Sequence, residues 1–146
     1  MKKRKKSSSR PQESEIVTSN FEPVELMRQA GEIAKVLSRM GIRTVEVEYG
    51  WGCRLPEEAL WQRMPVSLDS LAGVLAGAIE SGIFHPGSSD LSIVNSEEMF
   101  DIRICHESDI HVRTTNSRLT EHLLQMWGGE GVTLAVRTGE GRWKPA

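Results

Sequence analysis

The chain is short of cysteine, of aromatic residues and of long apolar runs. Two cysteines, Cys53 and Cys105, stand in 146 residues and form no CxxC pair. That excludes a disulfide framework and suits a reduced, intracellular chain. The longest apolar stretch, residues 71–79, is interrupted by Gly73 and Gly77. It falls far short of the ~20 residues that span a membrane. The basic start runs into Ser7, Ser8, Ser9, Arg10 and Pro11, not into the apolar segment of a secretory signal. These absences predict a soluble, cytoplasmic protein. Residues 2–6, Lys-Lys-Arg-Lys-Lys, also have the form of a short nuclear-import signal for a eukaryotic source.

Catalytic signatures are missing too. No GxSxG elbow, HExxH helix or GxGxxG turn occurs. Gly128-Gly129-Glu130-Gly131 follows a helical pattern and precedes a strand pattern, the reverse of a phosphate loop, and no Lys-Ser/Thr follows it. Aromatics are 5% of the chain, and no strand carries the interleaved rings of an RNA-recognition motif.

What is present is a core and a split in charge. Apolar residues are 38%, and 13 glycines raise the share to about 47%, within the globular range. Lys2, Lys3, Arg4, Lys5, Lys6 and Arg10 place six cations in the first ten residues with no acid among them. Of 18 cations and 20 acids in all, 12 and 20 remain for the rest, a body of about −8. The expectation is a flexible basic arm over residues 1–20, a single α+β domain over 21–138 and a tail over 139–146. An arm of this kind stays solvated and contacts polyanions weakly and without sequence preference.

Periodicity orders the body. Leu26, Ala30, Ile33, Leu37 and Met40 form one helical stripe after Pro23, and Gly41 ends it. Val45, Val47 and Tyr49 alternate with Thr44, Glu46 and Glu48, a half-buried strand with an acidic outer side. Pro56, Glu57 and Glu58 open a short helix that Pro65 stops, and Ser67 caps a second helix running to Ser81. Strands are expected near residues 91–95, 99–105 and 109–115, a helix from Ser117 to Trp127 broken by Gly128, and a last strand over residues 132–136. The fold class is α+β: an antiparallel sheet of four to five strands, with a meander over 91–115 and helices mainly on one face.

Phe100, Ile102 and Ile104 share a face with Ile110 and Val112 only if Ile104 meets Ile110 and Ile102 meets Val112. His106-Glu107-Ser108 is then a three-residue loop. Arg103 faces His111, and Asp101 faces Arg113 as an ion pair. The outer side gathers Cys105, Asp109 and His111, with His106 and Glu107 at the loop. These are candidate zinc ligands, with Cys53 or His85 completing the set, although Arg103 and Arg113 oppose a cation and the spacing matches no standard zinc pattern. Cys105 and His106 are adjacent in sequence, which on a strand does not make a thiol–imidazole pair.

Trp51, between two glycines, and Trp143, beside Arg142 and Lys144, are candidate contact residues for a protein partner. Glu46 and Glu48 are candidate contacts for a basic one. The sequence therefore favours a non-enzymatic interaction or regulatory module, such as a small inhibitor or immunity-type protein. The alternatives are a metal-assisted hydrolase built on residues 105–111 and a nucleic-acid accessory protein acting through the arm.

Overall fold

A computed structural model describes residues 12–146. The basic cluster from Lys2 to Arg10 lies outside the described residues. Eight strands form one sheet: β1 (Ser14–Thr18), β2 (Thr44–Tyr49), β3 (Arg63–Ser67), β4 (Leu91–Asn95), β5 (Phe100–Ile104), β6 (Ile110–Thr114), β7 (Leu134–Thr138) and β8 (Lys144–Pro145). Their spatial order is β3-β2-β4-β5-β6-β1-β7-β8, and every neighbouring pair is antiparallel. Three helices, α1 (Pro23–Arg39), α2 (Leu71–Glu80) and α3 (Ser117–Glu130), complete the α+β architecture.

The sheet is larger than the four to five strands expected, for three reasons. Residues 14–18 do not belong to a flexible arm. Ile16 and Thr18 are buried, and β1 is hydrogen-bonded on both sides, to β6 and to β7. The run is only five residues long beside a polar leader, which hides its alternation. Residues 63–67 are a strand, not a helix end: Pro65 sits in β3, an edge strand where its missing N–H costs no ladder bond. Only Glu57–Ala59 forms a helical turn in that region. The tail also pairs, with Ala135 opposite Pro145 and Val136 opposite Lys144. Both edge strands thus carry a proline, which blunts addition of a further strand.

The meander has the expected register, Ile104 opposite Ile110 and Ile102 opposite Val112. The turn closes with Cys105 N–H donating to the Asp109 carbonyl at 2.9 Å and Ser108 N–H to the Cys105 carbonyl at 3.0 Å. Ser108 takes φ 70°, the left-handed position of a three-residue hairpin loop.

Each helix joins two strands that run in the same direction. α2 carries the chain from β3 past β2 to β4, α3 from β6 past β1 to β7, and α1 from β1 past three strands to β2. Such connections must leave the sheet plane. The buried sides of all three helices join Ile16, Val45, Val47, Leu91, Ile93, Ile102, Ile104, Ile110 and Val112 in one apolar cluster. No helix among the described residues is long and apolar enough to cross a membrane.

Helix ends follow local chemistry. Ile42 N–H donates to Leu37 O and Gly41 N–H to Ser38 O, with Gly41 at φ 82°, closing α1 in a Schellman turn. Asn116, rather than Ser117, caps α3 by accepting from Leu119 N–H at 3.2 Å. Gly128 and Gly129 lie inside α3, despite their low helix propensity, and the helix ends only at Gly131 (φ 71°).

One buried polar hub ties α1 to α3. The Trp127 indole N–H donates to Gln29 Oε1 at 2.8 Å, and both side chains are fully buried. The Gln29 amide in turn donates to Glu130 at 2.8 Å and Glu25 at 3.1 Å. Arg28 completes the ring with Glu25 and Glu130. Gln29→Leu leaves the indole N–H buried and unpaired, at a cost of about 1–3 kcal/mol. A lower urea midpoint with an unchanged slope is the expected result, and an unaltered midpoint would show the hub to be dispensable.

Candidate functional site

The sheet's second face looks away from the helices and is charged. It carries Glu15, Glu46, Glu48 and Asp101 together with Arg63, Arg103, Arg113 and Arg137. The acidic outer side of β2 therefore does not stand alone. Glu46 and Glu48 sit on an interior strand of a charge-balanced face, and Glu48 accepts from Arg63 at 3.1 Å. Val94 and Ser92 are buried on this same face, flanked in register by Glu46 and Asp101 and by Glu48 and Arg103.

Asp101 and Arg113 are in register, but they do not form the expected ion pair. Arg113 donates instead to Glu13 at 3.1 Å and lies 3.8 Å from Glu15, two carboxylates that β1 brings alongside. Asp101 keeps one buried oxygen without a partner. Burial holds its carboxyl above the usual range, against the pull of Arg103, Arg113 and Arg63.

One end of this face gathers the chemistry. The parity of the strands places Asp90, Cys105, Asp109 and His111 on the outer side, and the β5–β6 loop adds His106. Asp90 is the hub. Its carbonyl accepts from Gly50 N–H at 2.9 Å and from the Cys53 thiol at 3.2 Å, and its N–H donates to Trp51 O at 2.8 Å. Its Oδ1 accepts the His106 backbone N–H at 2.7 Å and meets His106 Nδ1 at 2.8 Å. That short contact puts the ring proton on Nδ1, facing the carboxylate. The His106 ring packs against Trp51 with centroids 4.5 Å apart.

Two triads share Cys105. Ligand atoms of Asp90, Cys105 and His106 lie within 4.8 Å of one another, as do those of Cys105, Asp109 and His111. The second set is the one the sequence singles out. His111 Nε2 lies 2.9 Å from Asp109 Oδ1. Cys53 and His85 are in neither set: Cys53 is occupied with the Asp90 carbonyl, and His85 is exposed on its own loop.

Cys105 is not an activated nucleophile. Its Sγ lies 3.8 Å from His106 Nδ1, the nitrogen already engaged with Asp90. Burial, with Asp109 and Asp90 adding negative charge, pushes the thiol up to about 11.

Trp51 is 57% exposed. Trp61, which the sequence does not single out, is 58% exposed and belongs to the same end. Its ring covers Gly50 so closely that a Cβ there would stand 2.6 Å from it, so a larger residue at position 50 would push the ring aside. Trp61 holds φ 65° and its N–H donates to Tyr49 O at 2.9 Å, so the ring is displayed on a fixed backbone. Asp90 was equally hidden, because its role depends on pairing with Gly50, forty residues earlier. Trp143 sits at the opposite end of the sheet order, stacked under the Arg137 guanidinium at 4.9 Å.

Two measurements test this electrostatic picture. At pH 8, native Cys105 should alkylate at least about a hundredfold more slowly than in the unfolded chain, read by peptide mass mapping, since few molecules carry the thiolate. Equal rates would contradict the burial. Asp101 has a raised folded-state pKa, so its contribution favours folding below the unfolded value and is lost as pH rises through the folded one. Asp101→Asn should therefore raise the urea midpoint at pH 7, with the gain closing below about pH 4; a gain that grows on acidification would reverse the assignment. Comparison of the chain with family models, curated proteins and solved structures finds no match, so its function is to be read from its own geometry.

Proposed function

We propose that the chain is a non-enzymatic protein-interaction module whose contact surface is the Trp51–Trp61 end of the sheet. The observation that carries this reading is the display of two large indoles, each more than half exposed, on backbone fixed by the Gly50–Asp90 and Tyr49–Trp61 hydrogen bonds. Leaving such area in water is unfavourable for a lone monomer, whereas rigid aromatic anchors are the residues that dominate protein interfaces. Glu107, Glu57 and Glu58 are exposed in the surrounding segments and suit a partner with a basic surface. A small inhibitor or immunity-type protein, which neutralises a basic partner by covering it, is the specific form this takes.

The other two readings rest on different residues. The metal-assisted hydrolase reading rests instead on Cys105, Asp109 and His111 as ligands of an ion. The reading through the basic arm concerns Lys2, Lys3, Arg4, Lys5, Lys6 and Arg10, outside the described residues.

The partner captured from the native host with the wild-type chain is purified and its kinetics measured against variants. Trp51→Ala and Trp61→Ala should each weaken binding by about thirtyfold or more while leaving the circular dichroism unchanged. Reversal of Glu46 and Glu48 to Lys should slow association by a smaller, salt-sensitive factor, Glu48 being already paired with Arg63. Unchanged affinity in both tryptophan variants would remove this surface from the interface.

A further inference from the structure

We propose that Cys105, Asp109 and His111 form a binding site for one divalent transition-metal ion of the zinc type. The inference stands on the hairpin's geometry and is independent of the interaction surface proposed above. All three side chains leave the same face of one hairpin, and their ligand atoms lie within 4.8 Å of one another. The backbone under them is fixed by the Cys105–Asp109 hydrogen bond at 2.9 Å. In a tetrahedral zinc site, nitrogen and oxygen ligands about 2.0–2.1 Å from the ion stand about 3.3 Å apart. His111 Nε2 and Asp109 Oδ1 stand at 2.9 Å and need to part by only a few tenths of an ångström, and Cys105 Sγ lies within 4.8 Å of both.

The donor set decides which ion. A thiolate, an imidazole and a carboxylate select zinc-like cations over magnesium or calcium, which take oxygen ligands. Its charge also balances: thiolate and carboxylate together neutralise a divalent ion. On binding, the thiol proton leaves to the solvent as the sulfur–metal bond forms, so one proton is released per ion. The arginines that the sequence sets against a cation are largely removed from the question. Arg113 is held by Glu13 and Glu15, and Arg103, opposite His111, is exposed and screened by water.

The hairpin set is preferred to the set with Asp90 and His106 on one ground. Asp90 Oδ1 already accepts two bonds from His106, so His106 Nδ1 cannot ligate without breaking the contact that orients its ring against Trp51. Three protein ligands leave a fourth position open, and the His111 side chain is 37% exposed, so that position faces solvent or a partner's donor atom.

The test uses the full, untagged chain stripped of metal by a chelator and titrated with cobalt(II). One equivalent should give the thiolate-to-cobalt charge-transfer absorption, and one equivalent of zinc should abolish it by displacement. Cys105→Ser should lose the absorption. His111→Gln, a change at a solvent-facing position that preserves folding, should lower zinc affinity at least about tenfold by calorimetry. Cys53→Ser, His85→Gln and His106→Gln should leave both readouts unchanged. Absence of stoichiometric binding to the folded wild-type chain would overturn the proposal. So would an absorption that survives Cys105→Ser, wild-type affinity in His111→Gln, or loss of binding in Cys53→Ser, His85→Gln or His106→Gln.

Discussion

The sheet depends on β1 being paired along both of its sides. Ser14–Thr18 lies between β6 and β7, two strands that run the same way and cannot be neighbours in an antiparallel ladder. Without β1 the meander would end at β6, and β7 with β8 would have no sheet to join. The strand is locked at its far end as well. The Thr18 hydroxyl accepts Ile110 N–H at 3.0 Å, Ser19 N–H donates to Thr133 O at 2.9 Å, and Phe21 N–H donates to Ser108 O at 2.7 Å. The same insertion decides the outer-face electrostatics, because it brings Glu13 and Glu15 against Arg113 and Arg137. Asp101 loses its facing arginine to that competition.

Single-sided burial follows from the connections. All three helices bridge codirectional strands and place their buried sides in one cluster with the inward residues of the sheet. The opposite face can then tolerate charge, and its pairs contribute little individually because they are partly hydrated. What distinguishes one end of that face is backbone order. Asp90 receives or donates five hydrogen bonds from Gly50, Trp51, Cys53 and His106, counting both His106 contacts. A fixed loop presents Trp51 and Trp61 where a flexible one would fold them inward.

Much of this was legible wherever a signal was local. The stripe from Leu26 to Leu37 and the glycine after it give α1 and its Schellman end. The apolar parity of Phe100, Ile102, Ile104, Ile110 and Val112 gives the β5–β6 register, and with it the common face of Cys105, Asp109 and His111. The failures share a cause. β1 follows a polar leader, β3 and β8 contain proline, and each is a strand only because a neighbour supplies the ladder. Trp61 and Asp90 become site residues through contacts with Gly50, which no spacing rule connects to either. The Asp101–Arg113 register was right and its ion pair wrong, since register fixes Cα positions while the guanidinium goes to the better-placed carboxylate.

The two carboxylate–imidazole pairs at this end have the same chemistry and different consequences. In each, an aspartate with little exposure meets a histidine ring nitrogen at 2.8–2.9 Å. Asp90 also accepts the His106 backbone N–H, so its oxygen is committed to the loop and to the orientation of the ring beneath Trp51. No backbone donor competes for the Asp109 contact among the bonds described. A pair fixed by the backbone acts as a brace for the displayed indoles. A pair fixed only by its side chains can open by a small rotation, and the Cys105 sulfur lies within 4.8 Å of the ligand atoms of both. The looser pair is the one on which the proposed metal site rests.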